Sequence, residues 1–149
     1  MLQKGRPIDP EFLPDELLYY RISVDGPVGS RPEGVDIRLP EDSVNRGKYS
    51  EPTDVLYPNY FHLGVAQFCV DAVPGPRYFE GREYNLVPEH DPEKDNYAHS
   101  EIRAYRQGER VVHTGKIPKL IKAEFRQLLA EAMVICCAMP GSGLPSNLG

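Results

Sequence analysis

Apolar and polar positions alternate through residues 17–24, LLYYRISV, just after the turn-forming FLPDE, and this predicts a first strand. VDIRL, residues 35–39, alternates in the same way and predicts a short second strand ending before Pro40. In HLGVAQFCVDAV, residues 62–73, the set Val65, Gln67, Cys69 opposes Ala66, Phe68, Val70. Apolar residues on both faces predict a central strand in the middle of a sheet. Another strand signal lies around residues 84–87, and residues 98–115, AHSEIRAYRQGERVVHTG, predict a hairpin that turns at RQGE and returns through RVVHT.

Helical signals are fewer. KYSEPTDVL, residues 48–56, reads as a capped turn: Ser50 as the cap, Glu51 favourable beside the positive helix end, Pro52 acceptable where no N–H partner is needed. The one long helix predicted lies in residues 117–139, where Pro118 suits a first helical position and Ile121, Phe125, Leu128 and Ala132 recur at three-to-four spacing. From Met133 onward the run is apolar all round, which implies deep burial or a partner surface. The fold class that follows is α+β, a mostly antiparallel sheet covered by one main C-terminal helix. Residues 1–139 are expected to form a single domain, and residues 140–149, PGSGLPSNLG, a flexible tail.

Composition narrows the function classes. Fifteen prolines and thirteen glycines scattered over 149 residues argue for many turns and short elements rather than a helical bundle. A formal net charge of −5 and the absence of a Lys/Arg run argue against a nucleic-acid partner, although Arg77, Arg82, Arg103, Arg106 and Arg110 would form a basic groove if they met in space. No window resembles a signal peptide or a membrane span, and three cysteines in no framework pattern suit a reducing compartment, so a cytoplasmic protein is expected. Cys69, Cys136 and Cys137 lack the C-x-x-C spacing that brings two thiolates to one zinc ion; they read as inert thiols, and no metal site is expected.

Candidate chemistry centres on NYAHSEIRAY, residues 96–105, where strand alternation puts Tyr97, His99, Glu101 and Arg103 on one face. The plain reading of that face is the polar side of a sheet, with HDPEKDN, residues 90–96, as the loop where a cleft would form. His99 and His113 would approach one another across the predicted hairpin. Neither a G-x-S-x-G elbow nor a phosphate-cradling glycine loop is present. The order Arg21, Tyr49, Ser50, His99, Glu101 is loosely similar to that of NAD-cleaving enzymes such as ADP-ribosyltransferases, in which a late Glu stabilises positive charge developing on ribose.

The pieces LPDELLYYRI, SVNRGKYSEPTDVL, GVAQFCV and DNYAHSEI, in that order across residues 13–102, resemble a family of small, uncharacterised bacterial proteins. The resemblance implies a bacterial, intracellular, single-domain protein and carries no mechanism. Two functional expectations follow. The first is a non-enzymatic accessory or protein-interaction domain without cofactor, its partner surface around Met133, Ile135 and Met139. The second is an NAD-using transferase or glycohydrolase in which Arg21, Tyr49, Ser50, His99 and Glu101 converge on one cleft.

Overall fold

The computed structural model describes residues 7–141. Within them the chain is α+β, with strands β1 (Leu17–Ile22), β2 (Glu41–Arg46), β3 (Gly64–Cys69), β4 (Arg77–Phe79), β5 (Arg82–His90), β6 (His99–Arg106) and β7 (Glu109–Arg110), helix α1 (Lys119–Ala132), and β8 (Val134–Cys137). The strands form one antiparallel sheet in the order β4-β5-β6-β2-β1-β3-β8, with β7 attached to β6. Helix α1 lies on one face and buries Ile121, Phe125 and Leu129 against Leu18, Tyr20, Val44, Phe68, Leu86 and Ile102. The three-to-four spacing of its apolar residues is what makes that contact continuous.

Four elements depart from the sequence expectations. The second strand is not VDIRL but EDSVNR: Ile37 and Leu39 are buried as their alternation implies, yet that stretch is unpaired coil, while β2 occupies the centre of the sheet. Alternation predicts which side chains face inward; it does not supply a ladder partner. Consequently β3, expected in the middle, is next to the edge. Helix α1 stops at Ala132, and the apolar run after it becomes β8, paired with β3. Met133 and Ile135 are therefore 2% and 1% exposed, core residues rather than a partner surface, and Met139 is half-buried. The turn at residues 52–56 is a 3₁₀ helix, with the Asp54 carboxylate accepting the Glu51 N–H at 2.9 Å. Ser50 does not cap it, because its hydroxyl donates to the Arg46 carbonyl at 2.7 Å.

The free edge of β8 is partly closed by the loop after β1, where Gly29 N–H donates to the Ile135 carbonyl and Ile135 N–H to the Ser30 carbonyl, each at 2.8 Å. Such coverage blunts an edge that would otherwise pair with another chain. The expected tail from residue 142 onward lies outside the described residues. Among the described residues no helix is long and apolar enough to cross a membrane.

Beneath the N-terminal segment, Arg46 has a fully buried side chain with every edge of its guanidinium engaged. Its Nε and Nη2 grip the Glu16 carboxylate at 2.7 and 2.8 Å, Nη1 donates to the Asp9 carbonyl and Nη2 to the Glu11 carbonyl, each at 2.6 Å, and Phe12 stacks on it at 3.8 Å. A planar five-donor group suits this site in a way an ammonium does not. Arg46 thereby straps residues 9–16 across the end of β2.

Candidate functional site

The helix-free face of the sheet carries the polar chemistry, and the strand registers assemble it row by row. Ser43 lies opposite Glu101 and Glu101 opposite Glu89; Glu41 lies opposite Arg103; Asn45 lies opposite His99. Tyr19 and Arg21 continue the same face on β1. His99, Glu101 and Arg103 thus share one face, as their two-residue spacing predicts, with Tyr97 just ahead of the strand.

Arg103 sits among carboxylates. Its guanidinium reaches Glu89 Oε1 at 2.8 Å, Asp91 Oδ2 at 3.0 Å and Glu101 Oε1 at 3.2 Å, while Arg110 pairs with Glu41 and Arg77 with Glu124. Each of these three arginines is paired with carboxylates, Arg103 and Arg110 sharing Glu41, rather than pooled in a basic groove. Burial, with Glu41 nearby, holds the Glu101 carboxyl above its usual range.

His99 is fixed by the loop before β6. Its Nδ1 donates to the Asp91 carbonyl at 2.8 Å, and the Asp91 N–H donates back to the His99 carbonyl at 3.0 Å. Since a carbonyl only accepts, Nδ1 carries the hydrogen, and Nε2 faces Ser43 Oγ at 3.3 Å, Glu93 Oε2 at 3.8 Å and Glu101 Oε2 at 3.9 Å. His113 takes no part: β7 is two residues long and the chain leaves β6 at Val111, before a His99 partner could form.

The cleft comes from a lapse in the sheet. Strands β1 and β2 pair only at Leu18↔Arg46 and Tyr19↔Asn45, whereas β1 stays paired with β3 to Ile22 and β2 stays paired with β6 to Glu41. Beyond Tyr19 the two strands diverge and open a cleft of ≈ 560 Å³. Arg21, Ser43 and Glu101 line it from the helix-free face, and Tyr20, Arg38 and Asp42 from the other side. Arg21 packs its guanidinium on the Tyr60 ring at 3.6 Å, forming one wall. Asp42 forms another: its carboxylate accepts the Arg38 N–H at 3.1 Å, and burial nonetheless pushes the carboxyl up to about 7.

Of the sequence-derived candidates, Arg21 and Glu101 meet in this cleft and His99 stands beside Glu101. Tyr49 and Ser50 do not join them. Tyr49 belongs to the N-terminal strap, with its hydroxyl on Asp9 Oδ2 at 2.6 Å and its ring stacked against His90 and edge-on to Tyr97. Asp42 and Ser43 escaped sequence reasoning because EDSVNR holds a single apolar residue, Val44, and so gives no strand signal. Asp91 and Glu93, in the loop singled out from its composition, do contribute polar groups, although the cleft itself opens between β1 and β2.

No family model matches the chain, and no curated protein or solved structure matches it.

Proposed function

We propose that this protein is a non-enzymatic interaction domain whose split-sheet cleft receives an organic cation, either the lysine or arginine side chain of a partner protein or a free amine. The observation that carries the reading is the lapse of the β1–β2 ladder, which leaves a cleft of ≈ 560 Å³ at the centre of the sheet. That volume lies in the range of small-ligand sites. Four carboxylates line it, Asp36, Glu41, Asp42 and Glu101, against two guanidiniums, Arg21 and Arg38. Asp42, raised to about 7 by burial, holds a proton where a cation would serve as well, so an incoming ammonium or guanidinium displaces that proton and restores the carboxylate.

Calorimetric titration with agmatine, in two buffers of different ionisation enthalpy, tests this reading. Binding that releases a fraction of a proton near pH 7, and that is lost in Asp42→Asn, supports it; binding without proton release, or none, refutes it. A parallel titration with a Gly-Lys-Gly or Gly-Arg-Gly peptide separates a partner's side chain from a free amine. The free thiols of Cys69, Cys136 and Cys137 support a cytoplasmic setting.

A second reading, an NAD-using transferase or glycohydrolase, draws on the presence of Arg21 and Glu101 in the same cleft. It loses Tyr49 and Ser50, which serve the strap and the turn beside it. Thermal unfolding with excess NAD, followed by assay of nicotinamide release in wild type and Glu101→Gln, decides it: a midpoint shift with Glu101-dependent release favours the enzyme.

A further inference from the structure

We propose that Asp91, His99 and Glu101 form a binding site for a first-row divalent transition-metal ion at the edge of the cleft, with Glu93 as a fourth donor. This goes beyond the binding of an organic cation and does not depend on it.

The ligand atoms of Asp91, His99 and Glu101 already lie within 4.8 Å of one another. The histidine carries the argument. Its side chain is only 10% exposed, and residue 91 holds its ring through Nδ1–H. Metal-bound histidines have this form, with one ring nitrogen donating to a carbonyl and the other offering its lone pair. Here Nε2 has a single long hydrogen-bond contact, with Ser43 Oγ at 3.3 Å, which an incoming ion would replace, and it is turned toward two carboxylate oxygens at 3.8 and 3.9 Å, from Glu93 and Glu101. The two carboxylate separations are too long for hydrogen bonds. Donors about 2.1 Å from a shared tetrahedral ion stand roughly 3.4 Å apart, so Glu93 and Glu101 need to approach Nε2 by only about half an ångström, and Asp91 by rather more.

The charges leave room for the ion. Glu41, Glu89, Asp91 and Glu101 surround Arg103 and Arg110, and Glu93 stands beside His99, five carboxylates against two guanidiniums. Arg103 takes Oε1 of Glu101 and Oδ2 of Asp91, leaving Oε2 of Glu101 facing the histidine. The guanidinium thereby orients both carboxylates without filling the place next to Nε2. One imidazole with two or three carboxylates suits Zn²⁺, Mn²⁺ or Co²⁺; all-oxygen sites suit Mg²⁺ and Ca²⁺.

The test uses the full chain stripped of metal by chelator, with its cysteines alkylated so that thiol binding does not contribute. Calorimetry with ZnCl₂ and MnCl₂ is expected to give one site per chain, weakened at least tenfold in Glu101→Gln and abolished in His99→Gln. If either variant fails to fold, ¹⁵N spectra of the histidine rings in the wild-type protein decide: Zn²⁺ must move Nε2 of His99 and leave its Nδ1 protonated. No binding, binding indifferent to folded variants, or ring shifts confined to His62, His90 or His113 would each overturn the proposal.

Discussion

Arg46 and Glu16 form a two-pronged ion pair in the interior, 2.7 and 2.8 Å long, with 0% and 6% of their side chains exposed. This pair, rather than apolar packing alone, ties the N-terminal segment to the central strand. Removing one partner leaves a buried charge uncompensated, which costs about 3–5 kcal/mol. Glu16→Gln and Arg46→Ala are accordingly expected to lose about that much in urea unfolding. Arg46→Lys should recover little of it, because an ammonium cannot reproduce the fork. Near-wild-type stability for Glu16→Gln would show that the strap contributes nothing.

The same strap has a pH dependence. His90 Nδ1 accepts the Asp9 N–H at 2.8 Å and its Nε2 donates to the Tyr97 carbonyl at 2.6 Å, so the neutral ring is the one that fits. Burial lowers its pKa. For a base lowered in the native state, the unfolded chain binds the extra proton first. The contribution is therefore complete above the ordinary histidine value of 6.5 and is lost as pH falls below it. The stability difference between wild type and His90→Gln should shrink between pH 7 and pH 5; a constant difference would exclude the linkage.

Asp42 has the opposite sign. A carboxyl raised to about 7 keeps its proton in the native state while the unfolded chain releases it near 3.8. Folding stability from this group falls as pH rises from about 4 to about 7 and is level above that. Asp42→Asn, which keeps an oxygen for the Arg38 N–H, should stabilise the protein at pH 8 by up to about 4 kcal/mol. That advantage should vanish near pH 4, as urea midpoints across the range would show.

Gly64 is held by close approach to β8. A Cβ there would meet the Cys137 carbonyl oxygen at 2.8 Å and the Met139 nitrogen at 3.2 Å, both backbone atoms that cannot turn aside. Gly64→Ala should destabilise the protein by about 1–3 kcal/mol and speed amide hydrogen exchange in β8 before the other strands. Unchanged exchange at Ile135 would argue against that contact.

Much of this architecture is legible in the sequence wherever side-chain periodicity and backbone pairing coincide. Ile121 and Phe125 mark the buried stripe of α1, and the spacing of His99, Glu101 and Arg103 marks one face of β6. Legibility fails where burial is polar. In β2 the buried residues include Asn45 and Arg46, so the central strand reads as a loop, and with it the cleft wall formed by Asp42 and Ser43 goes unseen. Val134 and Ile135 favour a strand by their branching, a signal that competes with the helical run before them. Tyr49 and Ser50 fall near Arg46 in sequence and stay with it in space, away from Arg21 and Glu101.

The most direct test of the cleft is a two-dimensional ¹⁵N–¹H titration of the whole chain with agmatine at pH 7, alongside Asp42→Asn. The cleft reading predicts saturable shifts at the amides of Arg21, Arg38, Ser43 and Tyr60 in the wild type, and their loss in the variant. Shifts elsewhere on the sheet, or identical shifts in both proteins, would contradict it.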